Sequence, residues 1–351
     1  MTLTFLLPLI TSFLVTAGII PLIIPVIKKF GLIDDPRTHI HPKVIHTSVV
    51  PRGGGIPLFL GVFLTSLFFL PFSPSTIYLF LGCFLALVVG LIDDKLNGVN
   101  KDLPPLVRLG ANILCASIIV FGGTTITYIT NPFGGIIHLD QPLFSLLPFT
   151  IGQLISIFWM IWVMNMMNWS KGVDQMPGIV AISAFVIGLL SLRFPAENVH
   201  LLDIPLSMII AGTALGFLPY NLDPPKIFPG YSATTLYLFL AAVSILSSSK
   251  LATTILVLGV PTVDAVFTIM RRLANKQSPL LGDRKHLYHL LLDLGYTKRQ
   301  IALFYWLLSA ILGIVALTLE SKSKFFALVM VSVITLGGLF FLHSIKDEKS
   351  S

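Results

Sequence analysis

Long apolar segments recur along the whole chain, and short polar connections separate them. Each segment approaches the roughly 20 residues that an α-helix needs to cross a bilayer. In chain order, the eleven segments are Leu3–Ile27, Ile56–Phe72, Thr76–Ile92, Leu106–Gly122, Leu146–Met164, Gly178–Leu192, Ile204–Leu218, Ala233–Ser247, Leu251–Met270, Ile301–Leu319 and Phe325–Leu342. The pattern predicts an all-α, polytopic integral membrane protein with ten or eleven transmembrane helices, organised as one domain over residues 1–351.

One connection departs from this pattern. Residues 123–145 alternate β-branched and aromatic side chains around the turn-forming pairs Asn131-Pro132 and Gly134-Gly135. Alternation around such turn residues is typical of a short β-hairpin. We expect this hairpin to lie on the outer surface of the membrane.

The composition excludes a water-soluble protein. Hydrophobic residues make up 55% of the chain and charged residues only 11%, whereas soluble domains carry about 25% charged residues. Because apolar segments continue from end to end, no polar block is long enough to fold separately. The chain is therefore expected to be embedded among membrane lipids.

The distribution of charge assigns the two faces. The net charge is +7, and 18 of the 23 Lys and Arg residues fall on alternate connections that share one face. The positive-inside rule makes that face cytoplasmic, and we expect a multi-pass protein of the cell inner (plasma) membrane. Most Asp residues lie there too, which favours an enzyme for a charged cytosolic substrate over a channel. The basic excess suits lipid headgroups and substrate phosphates, and no nucleic acid is expected.

The first cytoplasmic loop combines basic side chains with glycines. His46 and Arg52 precede Gly53–Gly55, which come just before an apolar segment. Glycine backbone N–H groups at a helix N-terminus can approach an anion closely. A basic loop that touches lipid headgroups is the alternative, and the loop by itself favours that alternative.

Two adjacent carboxylates, Asp93 and Asp94, end the third apolar segment. Ionisable residues at a membrane boundary are candidates for function. The pair suits a hard cation such as Mg²⁺, or one carboxylate on the metal and the other as a base. A helix-end anchor is the alternative.

The next two connections carry further polar side chains. Asn165 and Asn168 share one face of a helix, Asp174 follows in a glycine-flanked turn, and Lys226 lies in a proline-rich loop. Asp174 could meet the same cation or a sugar. Ordinary helix capping by Asn and Gly explains part of the pattern equally well.

The last large cytoplasmic segment is the richest in basic residues. Asp264 lies inside an apolar segment, and Arg284, His286 and His289 follow it. Arg and His at this density suit pyrophosphate. Because no Cys and no third His accompany the two histidines, zinc is not expected. A basic helix on the headgroups is the alternative, but it does not account for Asp264.

Five motifs together resemble the polyprenyl-phosphate N-acetylhexosamine-1-phosphate transferases, glycosyltransferases of family 4 type. The matching motifs are Gly31-Leu32-Ile33-Asp34 with His46, Pro51-Arg52 and Gly54-Gly55; Gly90-Leu91-Ile92-Asp93-Asp94; Asn165, Asn168, Gly172 and Asp174; Lys226-Ile227-Phe228 with Gly230; and Asp283-Arg284 with His286 and His289. The histidine motif is more similar to the branch that uses UDP-N-acetylglucosamine than to the phospho-MurNAc-pentapeptide branch. The resemblance covers nearly the whole chain.

The resemblance implies a Mg²⁺-dependent phosphotransferase, with Mn²⁺ as a possible substitute. Its partners would be undecaprenyl phosphate and a UDP-sugar, its products UMP and a lipid-diphospho-sugar, and a homodimer is one assembly to expect. The implied catalytic residues are Asp93, Asp94, Asp174 and Asp264, with Asp94 and Asp174 as the metal ligands. The implied substrate-binding residues are His46, Arg52, Asn168, Lys226, Arg284, His286 and His289.

The chain also departs from the family pattern near the expected metal. Tyr231 stands where the family usually has an Asp, and Lys171 replaces another Asp. Three outcomes follow: Asp93, Asp94 and Asp174 hold Mg²⁺ without help, Lys171 takes over part of its electrostatic role, or the site no longer works.

A working, divergent enzyme is the leading hypothesis, because the other candidate residues persist together. A degenerate relative that binds polyprenyl phosphate or nucleotide sugar without turnover is the alternative. A transporter is less favoured, because transporters place polar residues and broken helices at mid-membrane.

Overall fold

The computed structural model describes residues 2–37, 48–99, 101–131, 133–144, 147–169, 175–192, 202–246, 249–278 and 285–350. The helices in this part of the chain are α1 Thr2–Lys29, α2 Gly55–Phe69, α3 Pro74–Asn97, α4 Pro105–Phe121, α5 Ile151–Trp169, α6 Met176–Ser191, α7 Asp203–Asn221, α8 Thr234–Ile245, α9 Ser249–Val257, α10 Gly259–Ala274, α11 Leu287–Asp293, α12 Lys298–Thr318 and α13 Ser321–Ser350. The predicted all-α membrane fold is confirmed.

Each predicted apolar segment contains a helix, but the number of spans is not settled by length. Within the described ranges, six helices are long and apolar enough to cross a membrane: α1, α3, α5, α7, α12 and α13. The pair α9 and α10 passes the same test jointly, although it is bent by 77° at its break. Four further apolar helices are shorter, and the count of ten or eleven spans stays a prediction.

The bend between α9 and α10 divides a segment that the sequence predicts as one helix. Gly259 and Pro261 come immediately after the break. Proline lacks a backbone N–H, so an unbroken helix would lose a hydrogen bond there. The bend gives Asp264 a position on a separate short helix.

Short strands occupy the connections. The structure pairs β3 Tyr128–Thr130 with β4 Ile136–His138 in antiparallel register, which confirms the predicted hairpin. Next, β5 Pro142–Phe144 pairs with β6 Leu147–Thr150. Helix α5 therefore begins at Ile151, later than the predicted start at Leu146, because this stretch pairs as a strand and contains Pro148. At the other end of the bundle, β1 Ile33–Asp34 pairs with β2 Val50–Pro51.

Helix α8 forms the centre of the bundle. All of its residues, Thr234–Ile245, are buried, and it packs against α2, α3, α5, α6, α7 and α9. In lipid, such a central helix can be apolar on every side because its neighbours cover it completely. A 3₁₀ turn, Tyr231–Ala233, precedes it. This turn brings the N-terminus of the central helix to the end of α3, where Asp93 and Asp94 lie.

Candidate active site

Asp94 is a buried anchor for the turn that begins α8. Its Oδ1 accepts a hydrogen bond from the Tyr231 backbone N–H at 2.7 Å, and its Oδ2 accepts one from the Ser232 N–H at 3.0 Å. Negative charge at a helix N-terminus is favourable because the first N–H groups lack partners within the helix. Asp94 has no exposed surface. It therefore joins α3 to the central helix.

Two glycines allow this close approach. A Cβ atom at Gly90 would overlap the backbone of Ser232, and one at Gly55 would overlap the Ser232 carbonyl group. The Gly55 N–H donates to Ser232 Oγ at 3.1 Å, and the Gly54 N–H donates to the Phe228 carbonyl oxygen at 3.0 Å. Both backbone groups are thus occupied inside the protein. The expectation that these N–H groups face an anion is not supported by their positions.

Arg52 ties the first loop to α3. Its Nε donates to Asp94 Oδ1 at 3.0 Å, and its Nη1 donates to Asp34 Oδ2 at 2.9 Å and to Asn97 Oδ1 at 2.6 Å. Burial disfavours the charged guanidinium, but the carboxylates of Asp94 and Asp34 outweigh it, so the pKa of Arg52 lies above its ordinary value. Arg52 thus holds the first loop against the end of α3. Its role in substrate binding stays a prediction.

Asp93 differs from Asp94 because only one of its two carboxylate oxygens accepts hydrogen bonds from the described residues. Its Oδ1 accepts from Arg108 Nε at 2.9 Å, from Arg108 Nη2 at 2.6 Å and from the Leu103 N–H at 3.1 Å. None of these bonds uses Oδ2. Among the described residues, Oδ2 of Asp93 has no hydrogen-bond partner. This carboxylate is held in place and still has an atom that can meet a ligand.

A second arginine completes what we call the aspartate–arginine network, comprising Asp34, Arg52, Asp93, Asp94, Asn97, Asp102 and Arg108. Arg108 Nη2 lies 3.2 Å from Asp102 Oδ1, and Asn97 Nδ2 donates to the same atom at 2.6 Å. The Arg108 guanidinium lies over the Tyr231 ring, with Cζ 5.1 Å from the ring centroid. Arg108 is not among the site residues predicted from the sequence. A lone charge inside an apolar helix was the available signal, because such a charge needs a partner.

Asn168 links this network to α5. Its Nδ2 donates to Thr234 Oγ1 at 2.8 Å, and Thr234 Oγ1 donates in turn to the Tyr231 carbonyl oxygen at 2.5 Å. Asn168 is buried. The polar ends of α3, α5 and α8 therefore meet around Tyr231.

The second constellation, which we call the histidine cluster, comprises Asp264, Thr268, His286 and His289. His286 Nδ1 lies 2.9 Å from Asp264 Oδ2, and the Leu287 N–H donates to Asp264 Oδ1 at 2.9 Å. Thr268 Oγ1 lies 3.3 Å from the same ring nitrogen. Because Asp264 takes Nδ1, the Nε2 atom of His286 is the one left for a ligand.

His289 lies one helical turn beyond His286 and is also buried. Its ring packs edge-on against Tyr288, with centroids 5.3 Å apart. Lys226 is exposed, and its Nζ lies 5.8 Å from the Tyr220 ring centroid. The structure does not bring Lys226 into either constellation. Three predicted site residues, His46, Asp174 and Arg284, lie outside the described residues.

The described side chains do not fit a preformed Mg²⁺ site. Both oxygens of Asp94, a predicted ligand, already accept backbone and arginine hydrogen bonds. In the described ranges, no three His, Cys, Asp or Glu side chains are grouped to hold a metal ion. Mg²⁺ prefers several oxygen ligands in near-octahedral geometry. The geometry therefore speaks against Asp94 as a metal ligand, and Asp93 Oδ2 is the carboxylate oxygen of the pair that remains.

Known proteins resemble this chain along most of its length. The profile of glycosyl transferase family 4 matches residues 76–249. A probable undecaprenyl-phosphate N-acetylglucosaminyl 1-phosphate transferase of Bacillus subtilis is 28% identical, covering 93% of this chain and 89% of that protein.

Two further relatives extend the match. A decaprenyl-phosphate N-acetylglucosaminephosphotransferase of Mycobacterium tuberculosis is 30% identical, over 89% of this chain and 82% of its own length. An undecaprenyl-phosphate alpha-N-acetylglucosaminyl 1-phosphate transferase of Thermotoga maritima is 30% identical, over 75% of this chain and 73% of its own. With its helical membrane fold and its polar residues gathered at the end of α3, the chain belongs to the glycosyl transferase family 4 phosphotransferases.

Proposed function

We propose that this protein transfers N-acetylglucosamine 1-phosphate from UDP-N-acetylglucosamine to undecaprenyl phosphate. The observation that carries the proposal is the agreement of relatives across most of the chain, all named as polyprenyl-phosphate transferases of this sugar phosphate. The site would lie on the cytoplasmic face of the bacterial plasma membrane, where the basic loops gather. The product would serve cell-wall or surface-glycan synthesis.

The proposed reaction is a single phosphoryl transfer. An oxygen of the lipid phosphate attacks the β-phosphorus of the UDP-sugar, and the bond from that phosphorus to the bridging oxygen breaks. UMP leaves with the bridging oxygen and its electron pair, and the sugar phosphate stays on the lipid as a diphosphate. Such a transfer needs mainly positioning and neutralisation of charge.

Asp93 and Arg108 would position the attacking lipid phosphate. At neutral pH a phosphate monoester is already mostly ionised, so strong general-base catalysis is not required. Asp93 Oδ2 accepts the remaining proton where one is present, and Arg108 offsets the repulsion between this carboxylate and the phosphate. The hydrogen bonds to Asp93 Oδ1 fix the direction of the free oxygen.

His286 would contact the diphosphate of the donor. With Nδ1–H donated to Asp264, Nε2 is the ring nitrogen that meets a phosphate oxygen, and it donates a hydrogen bond there only in the protonated, positively charged imidazole. Asp264 has no exposed surface, so it acts through His286 as a positioning residue. Asn168 would orient the nucleotide side from its place beside Tyr231.

A second candidate is binding without turnover. One observation favours it. Asp94 accepts a hydrogen bond from the backbone N–H of Tyr231 and so holds the turn, and the side chain at position 231 is an uncharged phenol where the family usually has a carboxylate. In that case the protein would hold polyprenyl phosphate or the UDP-sugar and release no UMP.

The test is UMP release by the purified, detergent-solubilised protein with undecaprenyl phosphate and UDP-N-acetylglucosamine. Reactions are run with Mg²⁺ and with EDTA, and the lipid product is identified by mass spectrometry. UMP together with a lipid-linked sugar phosphate in either buffer supports transfer. Asp93→Asn should lose the product, whereas Asp140→Asn, a matched change at an exposed residue of the outer hairpin region, should keep it. Ligand binding with no UMP in either buffer would favour the second candidate.

A further inference from the structure

Arg108 is held firmly along one edge and is open along the other. Nε and Nη2 bind Asp93 Oδ1, and Nη2 also faces Asp102. Among the described residues, the Nη1 amino group has no hydrogen-bond partner. The side chain is 25% exposed. Arg108 therefore has a fixed orientation and a donor group that can still reach a ligand.

The aromatic ring of Tyr231 packs against the guanidinium of Arg108. The backbone N–H of Tyr231 is bound to Asp94. An aromatic face attracts a cation through its quadrupole, but it supplies no oxygen to a metal from that face. Tyr231, next to Asp93 and Asp94, therefore favours an organic cation, the guanidinium of Arg108, over a metal ion.

The same arrangement opposes a divalent ion at Asp93. A metal bound to Oδ2 would share the carboxylate with the Arg108 guanidinium, and two cations at that distance repel each other in a poorly solvated site. Asp94 cannot compensate, because Arg52 and two backbone N–H groups already occupy it. The other carboxylate beside Arg108, that of Asp102, pairs with Arg108 itself and with Asn97. The described residues therefore provide one resident cation, and the carboxylates around it already serve that cation and its neighbours.

We infer that Arg108 is the resident cation of this site and that it binds a phosphate of the nucleotide sugar or lipid without a divalent ion. The planar guanidinium matches the oxygens of a phosphate and needs no metal to bridge two negative groups. This inference rests on the proposed function for its ligands. It concerns how the phosphate is bound and not whether transfer follows.

The experiment measures binding of UDP-N-acetylglucosamine and, in a separate titration, of a short-chain polyprenyl phosphate to the full-length protein in nanodiscs, by calorimetry, after removal of metals with chelator. We expect the dissociation constants in EDTA and in Mg²⁺ to agree within about threefold, because the charge of an arginine does not depend on added metal. In parallel, Mn²⁺ titration followed by electron paramagnetic resonance should show no stoichiometric binding to the wild-type protein.

Variants then assign the effect to one side chain. Arg108→Gln should weaken metal-free binding of one of the two ligands by roughly tenfold to a hundredfold, the usual loss for a charged hydrogen bond, and the ligand affected identifies the phosphate that Arg108 holds. Unchanged binding of both ligands would contradict the inference. Arg299→Gln is the matched control, since this exposed arginine contacts the Asp223 carbonyl oxygen and should leave binding unchanged. Tyr231→Asp should create stoichiometric Mn²⁺ binding, because it adds a carboxylate beside Asp93.

Three further results would overturn the inference. Binding that disappears in EDTA and returns with Mg²⁺ would show that a metal is required, and the proposed transfer would still stand. Stoichiometric Mn²⁺ on the wild-type protein would do the same. Both use the unmodified chain, so they decide the matter even where Arg108→Gln fails to fold. Absence of UDP-N-acetylglucosamine binding in every buffer would instead remove both the inference and the proposed function.

Discussion

The aspartate–arginine network and the histidine cluster use buried carboxylates in opposite ways. In the network, Asp94 directs both oxygens to the backbone of another helix and to Arg52. In the histidine cluster, Asp264 directs one oxygen to a backbone N–H and the other to Nδ1 of His286, which leaves the second ring nitrogen of that histidine outside the pair. Burial of an acid is therefore not by itself a sign of chemistry. What distinguishes the two is whether the bonded partner retains an atom for a ligand.

The largest effect should come from breaking the Asp94 anchor. Asp94→Asn removes a charge from Arg52 and places an amide N–H₂ against the donor of Tyr231 or Ser232. Loss of one partner from a buried ion pair costs about 3–5 kcal/mol, so the melting temperature in detergent should fall sharply. Asp102→Asn is the control, because Asp102 is 63% exposed and its loss should cost under about 1 kcal/mol. Equal, small shifts in both variants would contradict the anchor role.

The sequence predicts Asp93 and Asp94 together as site residues, either both on a cation or one on the metal and the other as a base. The structure separates them, because Asp94 Oδ2 meets the backbone of Ser232, 138 residues further along the chain. A bond to a backbone N–H has no preferred partner residue type, so no sequence pattern reports it.

Breaking the Asp264–His286 pair should reduce catalysis more than stability. Asp264→Asn keeps an oxygen for the Leu287 N–H, but its amide group no longer stabilises a protonated His286. We expect kcat to fall about a hundredfold, with KM changed little and the melting temperature nearly maintained. Thr268→Val is the matched control, since its hydroxyl lies at a longer 3.3 Å from the ring nitrogen. A fall in KM and kcat that tracks the loss of stability would assign Asp264 a structural role like that of Asp94.

The close contact between α3 and the α8 turn can be tested without touching a charge. Gly90→Ala would drive a methyl group into the Ser232 backbone, and such overpacking costs about 1–3 kcal/mol. Gly110→Ala, on the neighbouring helix α4, meets no atom within 4 Å and should instead stabilise by up to about 1 kcal/mol. Thermal unfolding of the pair compares the two directly. A neutral Gly90→Ala would mean that Asp94 tolerates a looser turn.

The sequence predicts the positions of the helices better than it predicts the breaks within them. Each of the eleven apolar segments contains a helix, because the bilayer sets that length, whereas the short helix α11 lies outside all of them. The break at Leu258 was missed, since Leu251–Met270 is apolar throughout and only Gly259 and Pro261 mark it. The site was predicted as a set of residue types on one face. Its pairing, including Arg108 with Asp93, depends on helix packing that residue spacing does not encode.

The smallest expected effect separates the ring of Tyr231 from its hydroxyl. The hydroxyl receives one long hydrogen bond, from Asn112 Nδ2 at 3.3 Å, whereas the ring face carries the Arg108 guanidinium. Tyr231→Phe keeps the face, so unfolding should change by less than about 1 kcal/mol and metal-free binding should be unaltered. Tyr231→Leu removes the face and should cost about 0.5–2 kcal/mol, with weaker binding of the UDP-sugar. If Tyr231→Phe proved as damaging as Tyr231→Leu, the hydroxyl and not the ring would be the functional part of this residue, and Arg108 would need another support.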